Sequence, residues 1–388
     1  MYHLEGPKLH VCGEYARQER YRKVLGGSRI ILLLHMLADT EEFVDIILKT
    51  GADLHSMIAI PHSIDSSVLG RMKARNIPVL CAAYSEMEQP SGLLDQLLSA
   101  AAEDSRKDGR RIVIIEVGGY FAAPLSRIHP EDALLFAGAV EDTTFGHNRY
   151  CALVSQIPVP VVSVARSQLK EIEARFVGEA AIIALDGLFR EFGSSLSLCN
   201  ALVVGYGMIG KNVARAAAKR EVKVSVYDQR DHRNLAAFCS GFHVSKKADL
   251  LKSADIIFSA TGTAAISLDD IGMCKDGVVL ASVGSKDIEF DVRGLRNHAT
   301  DVVPVGVHIE RFILPSSKVV YVVKRGTPVN FLVQSAPSEI IDLVFSEMLL
   351  DAIFLLGDTE RYPPGVLHET DEKYLSLIAK DWLRNINH

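Results

Sequence analysis

The sequence lacks the features that mark secreted, metal-binding or membrane-spanning proteins. Its six cysteines are scattered over 388 residues, and none forms a CxxC pair. This spacing suggests neither a zinc site nor a disulfide framework, and we expect reduced thiols. No apolar run approaches the roughly 18 residues of a membrane-spanning helix. The opening segment MYHLEGPKLHVCGEY lacks the basic start and apolar core of a signal peptide. These absences predict a cytoplasmic protein with no metal and no membrane partner.

Neither sign of charge dominates, and no internal repeat or low-complexity tract is present. The formal net charge is −6, and the sequence pI is about 6.1. Such a balance gives no electrostatic reason to expect nucleic acid as a partner. The length and a hydrophobic content of 48% instead predict an ordinary globular protein of two or three domains. We therefore expect a small-molecule substrate.

Apolar strands alternate with helical stretches in the first half of the chain, which predicts a parallel sheet covered by helices. The candidate strands are Arg29–His35, Ser56–Pro61, Pro78–Ala83, Arg111–Val117 and Val159–Ala165. Helical patterns lie between several of them. A long helix is predicted from Ser167 to Phe192, and Gly193 ends it. The fold class is thus α/β, with doubly wound parallel sheets.

A glycine-rich turn, GYGMIG, follows the buried strand predicted at Ala201–Tyr206. Gly205 makes the tight turn, Gly207 lets backbone N–H groups approach a pyrophosphate, and Gly210 lets helix and strand pack closely. The helix that opens at Met208 and Ile209 presents unpaired N–H groups and the positive end of its dipole. This arrangement predicts a dinucleotide-binding loop, and the alternative is a glycine turn with a structural role only.

An acidic residue, Asp228, closes the next predicted strand. A carboxylate there can accept hydrogen bonds from both ribose hydroxyls of the cofactor. It favours NAD over NADP, because a 2′-phosphate would meet a like charge.

Two further strands of this region end in small or polar residues. Asp255–Thr261 is followed by Gly262 and Thr263, and Gly277–Gly284 is followed by Ser285. An open α/β sheet binds its ligand at this carboxyl edge. Val319–Val323 and Val329–Leu332 are predicted as short closing strands, and helices follow from Ser338.

These blocks together resemble the S-adenosylhomocysteine hydrolase family, whose NAD-dependent enzyme splits adenosylhomocysteine into adenosine and homocysteine. The likeness covers roughly residues 28–375 in order. It lies in SRIILLLHMLADTEEFVDIILKTGADL, EVGGY, EDTTFG, ATGT, SVGSKDIEFDV, PVN and YPPGV.

The resemblance implies an NAD-binding Rossmann domain inserted in a substrate domain, and a homodimer or homotetramer. The substrate domain comprises residues 1–192 and helices 337–388, and the NAD domain comprises residues 193–336. The residues implied to bind the cofactor are Gly205, Gly207, Met208, Ile209, Gly210, Asp228, Thr261, Gly262, Thr263, Gly284, Ser285 and Asn330.

The family's chemistry begins with oxidation of the ribose 3′-hydroxyl by NAD, and elimination of the 5′-thiol follows. By resemblance, His35 is an acid–base group, and Lys170 helps to deprotonate the hydroxyl. Asp142 and Thr143 match the residues that hold the nucleoside, and Glu116 is the surviving acid of a pair. The structural alternatives are a backbone hydrogen bond for His35, a solvated position for Lys170 and helix capping for Asp142 and Thr143. Glu116 could substitute for its missing neighbour, although one step along a strand turns a side chain to the other face.

Several family positions are changed, and the changes affect elimination and substrate binding more than the cofactor site. Where the family has an aspartate one helical turn after the lysine, this sequence has Ala174. Val117 replaces a catalytic aspartate of the family, and Ser285 replaces a histidine. The sequence reads SAPS in place of GHPS.

Two functional hypotheses follow. The first is an NAD-dependent enzyme that oxidises a secondary alcohol of a nucleoside-like or other small substrate. The second is an inactive NAD-binding homologue that regulates or docks onto a partner. Efficient hydrolysis of adenosylhomocysteine is expected to be absent or very slow.

Overall fold

The computed structural model of the chain describes residues 8–284, 286–358 and 361–386. These residues form two compact units. One lies within Met1–Glu171 and Ser338–His388, and the other is Ile172–Pro337. Each unit contains a mainly parallel sheet with helices between its strands, which confirms the predicted α/β class.

The first part of the chain supplies most of one sheet. Its strands are β1 (Ser28–Met36), β2 (Asp53–Ile64), β3 (Val79–Cys81), β4 (Arg111–Glu116), β5 (Phe136–Glu141) and β6 (Val161–Ser163). Its helices are α1 (His10–Arg17), α2 (Glu19–Gly26), α3 (Ala38–Lys49), α4 (Ser66–Ala74), α5 (Tyr84–Met87), α6 (Leu93–Asp108), α7 (Ala122–Ser126), α8 (Pro130–Ala133) and α9 (Thr144–Leu153).

The middle of the chain begins with the long helix α10 (Gln168–Glu191). Its strands are β7 (Asn200–Val204), β8 (Lys223–Tyr227), β9 (His243–Val244), β10 (Ile256–Ser259), β11 (Val278–Ser282), β12 (Asp301–Pro304), β13 (Ile309–Ile313) and β14 (Val319–Val323). Its other helices are α11 (Met208–Ala218), α12 (Asp231–Cys239), α13 (Lys247–Ser253), α14 (Leu268–Met273) and α15 (Val292–His298). The last part contains α16 (Ser338–Gly357), β15 (Leu367–His368) and α17 (Glu372–Ile386).

The sheet of the first unit is parallel throughout its described strands, in the order β15-β6-β5-β4-β1-β2-β3. Ile30 to Leu33 in β1 are all 0% exposed, as expected for a strand covered by helices on both faces. The chain leaves β1 towards β2 on one side and returns to β4 on the other. A ligand crevice of an open sheet forms where the strand order reverses in this way.

The sheet of the second unit runs β12-β13-β14-β11-β10-β7-β8-β9. It is parallel from β14 to β9, and β12 and β13 add an antiparallel hairpin. Its strand order reverses at β7, which carries the glycine loop at its carboxyl end.

Most sequence predictions of elements are confirmed, and the differences have local causes. Val329–Leu332 is a 3-10 turn and not a strand. Among the described strands, no ladder pairing includes Val329–Leu332, and a short apolar run does not by itself separate a strand from a helical turn. No sequence pattern indicated β5, because FAGAVE contains few residues that favour strands. The division between the units falls within α10, whereas the sequence placed a domain boundary after residue 192.

Two glycines of α10 provide a matched test of packing in the second unit. A Cβ at Gly178 would lie 2.6 Å from the backbone carbon of Asn212 in α11, whereas a Cβ at Gly187 would meet nothing within 4 Å. We predict that Gly178→Ala lowers the free energy of unfolding by about 1–3 kcal/mol, because backbone must move to admit the methyl group. Gly187→Ala should be neutral or stabilising by up to about 1 kcal/mol, because alanine favours a helix. Thermal and urea unfolding measure both, and equal effects would contradict the packing.

Candidate functional site

The turn after β7 has the geometry of a phosphate-binding loop. Gly205 has φ +92°, and a Cβ there would lie 2.7 Å from the Ala260 carbonyl oxygen. A Cβ at Gly210 would lie 1.8 Å from the Gly205 carbonyl oxygen. These two positions therefore require glycine for tight turning and for close approach of helix and strand.

The N-terminus of α11, opened by Met208 and Ile209, is available to a ligand. Its N-cap residue is Gly207, so no side chain caps the first turn. The nearest atom to a Cβ built on Gly207 is a guanidinium nitrogen of Arg233 at 3.5 Å. The N-cap residue thus leaves the backbone N–H groups of the first turn without a side-chain cap, and such groups can donate to an anion.

Asp228 is buried at the carboxyl end of β8 and is tied to the glycine loop. Its Oδ2 accepts the Tyr206 N–H at 2.7 Å, and its Oδ1 accepts the Arg230 N–H at 2.9 Å. Arg233, which no sequence pattern had marked, places Nη1 3.4 Å from Oδ2. Oδ2 accepts from both Tyr206 and Arg233, whereas Oδ1 accepts only from Arg230 among the described residues and can still accept a ribose hydroxyl.

A second buried acid, Glu289, organises the loop after β10. Its oxygens accept the N–H groups of Thr261 and Gly262 and the hydroxyls of Ser259 and Thr261 at 2.6–2.9 Å. Burial raises the pKa of this carboxyl, and the four donors oppose that rise.

The same acid requires glycine at position 284, because a Cβ there would lie only 2.3 Å from Glu289 Oε1. Thr263 donates its N–H to Thr261 Oγ1 at 3.1 Å. Direct contacts of this loop with a cofactor stay predictions.

Asn330 contributes an acceptor on the other side of β7 from Asp228. Its Nδ2 donates to Ser335 Oγ at 2.8 Å. Its Oδ1 is buried and has no hydrogen-bond partner within the described ranges. A buried amide oxygen left in this state needs a donor, and the carboxamide of a nicotinamide can supply one.

Ser285, the remaining predicted cofactor residue, lies outside the described residues. The open helix terminus, the anchored acid and the unsatisfied amide oxygen together fit NAD. When bound, NAD supplies a hydride acceptor.

In the first unit, Glu116 and Glu141 are neighbours across β4 and β5 and are both 0% exposed. Glu116 accepts the N–H groups of Tyr120 and Phe121 and the hydroxyl of Tyr150. Glu141, which sequence reasoning missed, accepts the N–H groups of Gly118 and Gly119 at 3.0 and 2.8 Å.

Burial raises the pKa of Glu116 to about 7 and also raises that of Glu141. The EVGGY and EDTTFG segments therefore interlock through these acids. This arrangement favours a structural role for Glu116, and its contact with substrate stays a prediction.

Thr143 serves the same local structure. Its hydroxyl donates to Glu141 Oε1 at 2.6 Å and accepts the Gly146 N–H at 2.9 Å, which caps α9. The side chain therefore fixes the loop that carries Asp142, and binding of a nucleoside by Thr143 stays a prediction.

Lys170 and Asp142 are brought together, 28 positions apart in the chain, with Nζ 2.8 Å from Oδ2. Their side chains are 14% and 11% exposed. Asp142 thus supplies a carboxylate for this lysine from outside α10. Asp142 Oδ1 is buried and has no hydrogen-bond partner among residues that the structure describes. The pair can therefore receive a hydroxyl hydrogen from a ligand.

The first turn of α10, which carries Lys170, is joined to buried acids of α16. Ser167 Oγ accepts the Lys170 N–H at 3.1 Å and donates to Glu347 Oε2 at 2.8 Å. Thr370 Oγ1 lies 2.7 Å from Glu347 Oε1 and 2.6 Å from Asp351 Oδ2.

A hydroxyl has one hydrogen, so one of these two carboxyl groups must be protonated and donate to Thr370. Burial raises the pKa of Glu347 to about 8 and that of Asp351 to about 7. No sequence signal linked these residues.

His35 lies near the carboxyl end of β1, where the strand order of its sheet reverses. Its Nδ1 is 2.5 Å from Ser63 Oγ, and its ring centroid is 5.6 Å from that of His62. The position agrees with an acid–base group at the sheet edge, and its catalytic role stays a prediction.

A cavity of about 800 Å³ beside α11 is lined by other residues, including Arg175, Arg215 and Phe242. Within the described ranges, no cluster of three or more metal-binding side chains occurs. Nor does that part of the chain contain a helix suited by length and hydropathy to crossing a membrane.

Comparison with known proteins agrees with this geometry. Residues 180–336 match the family model described as S-adenosyl-L-homocysteine hydrolase, NAD binding domain. The S-inosyl-L-homocysteine hydrolase of Methanopyrus kandleri is 27% identical over 370 residues, covering 94% of this chain and 85% of the relative. The adenosylhomocysteinase of Thermotoga maritima is 27% identical over 367 residues, covering 93% and 87%.

A shorter match and a solved structure add to the comparison. The S-inosyl-L-homocysteine hydrolase of Methanothermobacter thermautotrophicus is 30% identical over 266 residues, covering 67% of this chain and 63% of the relative. The crystal structure of a dipicolinate synthase chain from Bacillus halodurans covers 86% of this chain and 98% of its own, at 12% identity and a TM-score of 0.43. That likeness is too low to support an argument.

Gly207→Ala tests the phosphate-binding loop. The added methyl group causes no backbone clash and fills the space that a pyrophosphate would use. We predict that NAD⁺ affinity falls by about tenfold or more, which corresponds to about 1.4 kcal/mol or more, while the unfolding midpoint stays close to wild type. Calorimetric titration measures the affinity. Gly272→Ala, where a Cβ meets nothing within 4 Å, is the control. Unchanged affinity of Gly207→Ala would contradict the assignment.

Glu347→Gln tests the buried proton. Between about pH 4.5 and about 8, folded wild-type protein keeps a proton on Glu347 that the unfolded chain releases. Stability therefore falls as pH rises through this window, by up to about 1.4 kcal/mol per pH unit for one proton. Glutamine cannot ionise, so the variant should lose this part of the slope in urea unfolding. Glu339→Gln, at an exposed position of α16, should keep it. If stability depended on pH in the same way in all three proteins, Glu347 would not carry a proton in the folded protein over this pH window.

Proposed function

The chain belongs to the S-adenosylhomocysteine hydrolase family, and we propose that it uses NAD to oxidise a secondary alcohol of a nucleoside-like or other small substrate. The observation that carries this proposal is the Lys170–Asp142 pair, which has one buried acceptor oxygen still open. It occurs in a chain whose other unit contains an NAD-binding domain. The pair suits a hydroxyl group, and the cofactor suits its oxidation.

In this proposal, the substrate hydroxyl donates to Asp142 Oδ1. The Lys170 ammonium stabilises the negative charge that develops on the substrate oxygen. His35 remains a candidate acid–base group at the carboxyl edge of the same sheet. Burial of the pair keeps water away and strengthens these interactions.

The changed family positions argue against efficient hydrolysis of adenosylhomocysteine. Alanine stands at 174 and valine at 117, and both side chains are buried and cannot transfer protons. Elimination of a thiol needs acid–base groups beside the departing sulfur, which these residues do not supply.

We further propose a small-molecule substrate, no nucleic-acid partner, a homodimer or homotetramer, and a cytoplasmic location. The net charge of −6 and the names of the relatives support the first two. The inactive NAD-binding homologue remains the alternative, and a co-purified partner without any turnover would favour it.

Lys170→Ala tests the reaction. Purified protein with NAD⁺ is offered adenosine, inosine, adenosylhomocysteine and S-inosylhomocysteine, and the absorbance of the reduced nicotinamide is followed. We predict cofactor reduction with at least one secondary alcohol, a loss of about 100-fold or more in Lys170→Ala and Asp142→Asn, and unchanged rates in the exposed control Lys223→Ala. No reduction with any nucleoside or polyol would defeat the proposal, and efficient thiol release would defeat the predicted loss of hydrolysis.

A further inference from the structure

The cavity of about 800 Å³ beside α11 is lined only by residues of the second unit, and none of the glycine-loop residues 205–210 lines it. Its walls come from α10, from α11 and from the turn between α12 and β9. Val222 and Val224, at the amino end of β8, also line it. The glycine loop and Asp228 instead follow the carboxyl ends of β7 and β8, where an open sheet binds its dinucleotide. The cavity is therefore a separate feature of this unit.

Positive charge predominates among the side chains that line the cavity. Arg175 comes from α10, and Arg215 comes from α11. Lys219 and Arg220 follow the end of α11, whereas Glu179 is the one acid among the described residues of the lining. The whole chain has a formal net charge of −6, so its overall composition does not account for this local excess of cations. A cleft lined by cations attracts an anionic ligand.

Most of these cations have no anionic partner from the chain itself. Arg220 Nη1 lies 3.5 Å from Asp186 Oδ2. Within the described ranges, Arg175, Arg215 and Lys219 form no ion pair and no side-chain hydrogen bond. The helix dipole favours Arg215 and Lys219 at the end of α11, but it gives no support to Arg175 in the first half of α10. A bound anion would offset the repulsion among the cations.

Apolar side chains form another part of the lining. Val222 and Phe242 are 5% and 9% exposed, and Ala216 and Val224 are partly buried against the same core. The Phe242 ring packs edge-on against Tyr206, with the ring centroids 6.0 Å apart. A volume of about 800 Å³ lies within the range of small-molecule pockets and exceeds what a single phosphate group fills. The lining therefore suits a ligand that joins an anionic group to an apolar body.

We propose that this cavity is a second small-molecule site, which binds an organic phosphate of the nucleoside monophosphate class. The phosphate oxygens accept hydrogen bonds from Arg215 and Lys219, because guanidinium and ammonium groups complement phosphate in charge and in donors. The apolar body of the ligand packs on Val222, Val224 and Phe242. The site does not depend on the proposed oxidation, because neither the glycine loop nor the pair formed by residues 142 and 170 lines it.

Calorimetric titration with AMP tests the proposal. Full-length protein is first saturated with NAD⁺, so that the glycine loop is occupied, and AMP, adenosine and inorganic phosphate are then titrated separately. AMP should bind more tightly than adenosine or phosphate, because only AMP contacts both parts of the lining. Arg215→Gln and Lys219→Gln should each weaken AMP binding at least about tenfold and leave NAD⁺ binding unchanged. Lys252→Gln, at an exposed position of α13, should bind AMP as wild type does.

Arginine modification then locates the bound AMP. The NAD⁺-saturated protein is treated with phenylglyoxal, with and without AMP, and arginine peptides are quantified by mass spectrometry. AMP should slow modification of Arg215 several-fold and leave the exposed Arg293 unaffected. Failure of AMP to bind the NAD⁺-saturated protein, or unchanged AMP affinity in both glutamine variants, would overturn the proposal. Inorganic phosphate that binds as tightly as AMP would overturn the apolar part of the assignment.

Discussion

Buried carboxylates that accept backbone N–H groups organise the functional edges of both sheets. Glu116 and Glu141 do so in the first unit, and Asp228 and Glu289 in the second. A charge or carboxyl group removed from water is costly unless donors surround it. Each of these acids therefore fixes the loop that donates to it, and each loop in turn makes the buried acid tolerable. The candidate site depends on this reciprocal arrangement, because its functional residues stand on the fixed loops.

The same acids explain several glycines that resemble ligand-binding positions in the sequence. Cβ atoms at Gly146 and Gly284 would lie 2.2 and 2.3 Å from an oxygen of Glu141 and Glu289. Those glycines make room for a carboxylate of the chain itself. Gly207 differs, because a Cβ there would meet no backbone and no carboxylate, and its nearest neighbour would be the Arg233 guanidinium at 3.5 Å. The two kinds of glycine are chemically identical in the sequence, and only their surroundings separate a structural position from a binding position.

In the first unit, Lys170 has a different carboxylate partner from the one that the family resemblance implies. Lys170 lacks the aspartate expected one turn later on its own helix and contacts Asp142 from the β5–α9 loop instead. A hydrogen-bonded network of side chains adjoins it and requires a proton on one of its two carboxyl groups. The network consists of Ser167, Glu347, Thr370 and Asp351. This network fixes the position of the first turn of α10, because hydrogen bonds are stronger in a buried setting than in water.

Local patterns in the sequence were enough to predict the α/β class, the glycine loop, the acid at the end of β8 and the resemblance to the S-adenosylhomocysteine hydrolase family. Apolar strand periods, glycines at fixed offsets and short ordered motifs carry each of these conclusions. The same patterns predicted most strand and helix positions, although the strand predicted at Val329–Leu332 was wrong, because a short apolar run can also form the 3-10 turn that is found there. The hydrogen-bond partners of Glu141, Glu289, Glu347 and Arg233 became visible only in the folded chain. Those contacts join residues that are distant in sequence, and burial shifts the pKa of the glutamates, which a linear pattern does not record.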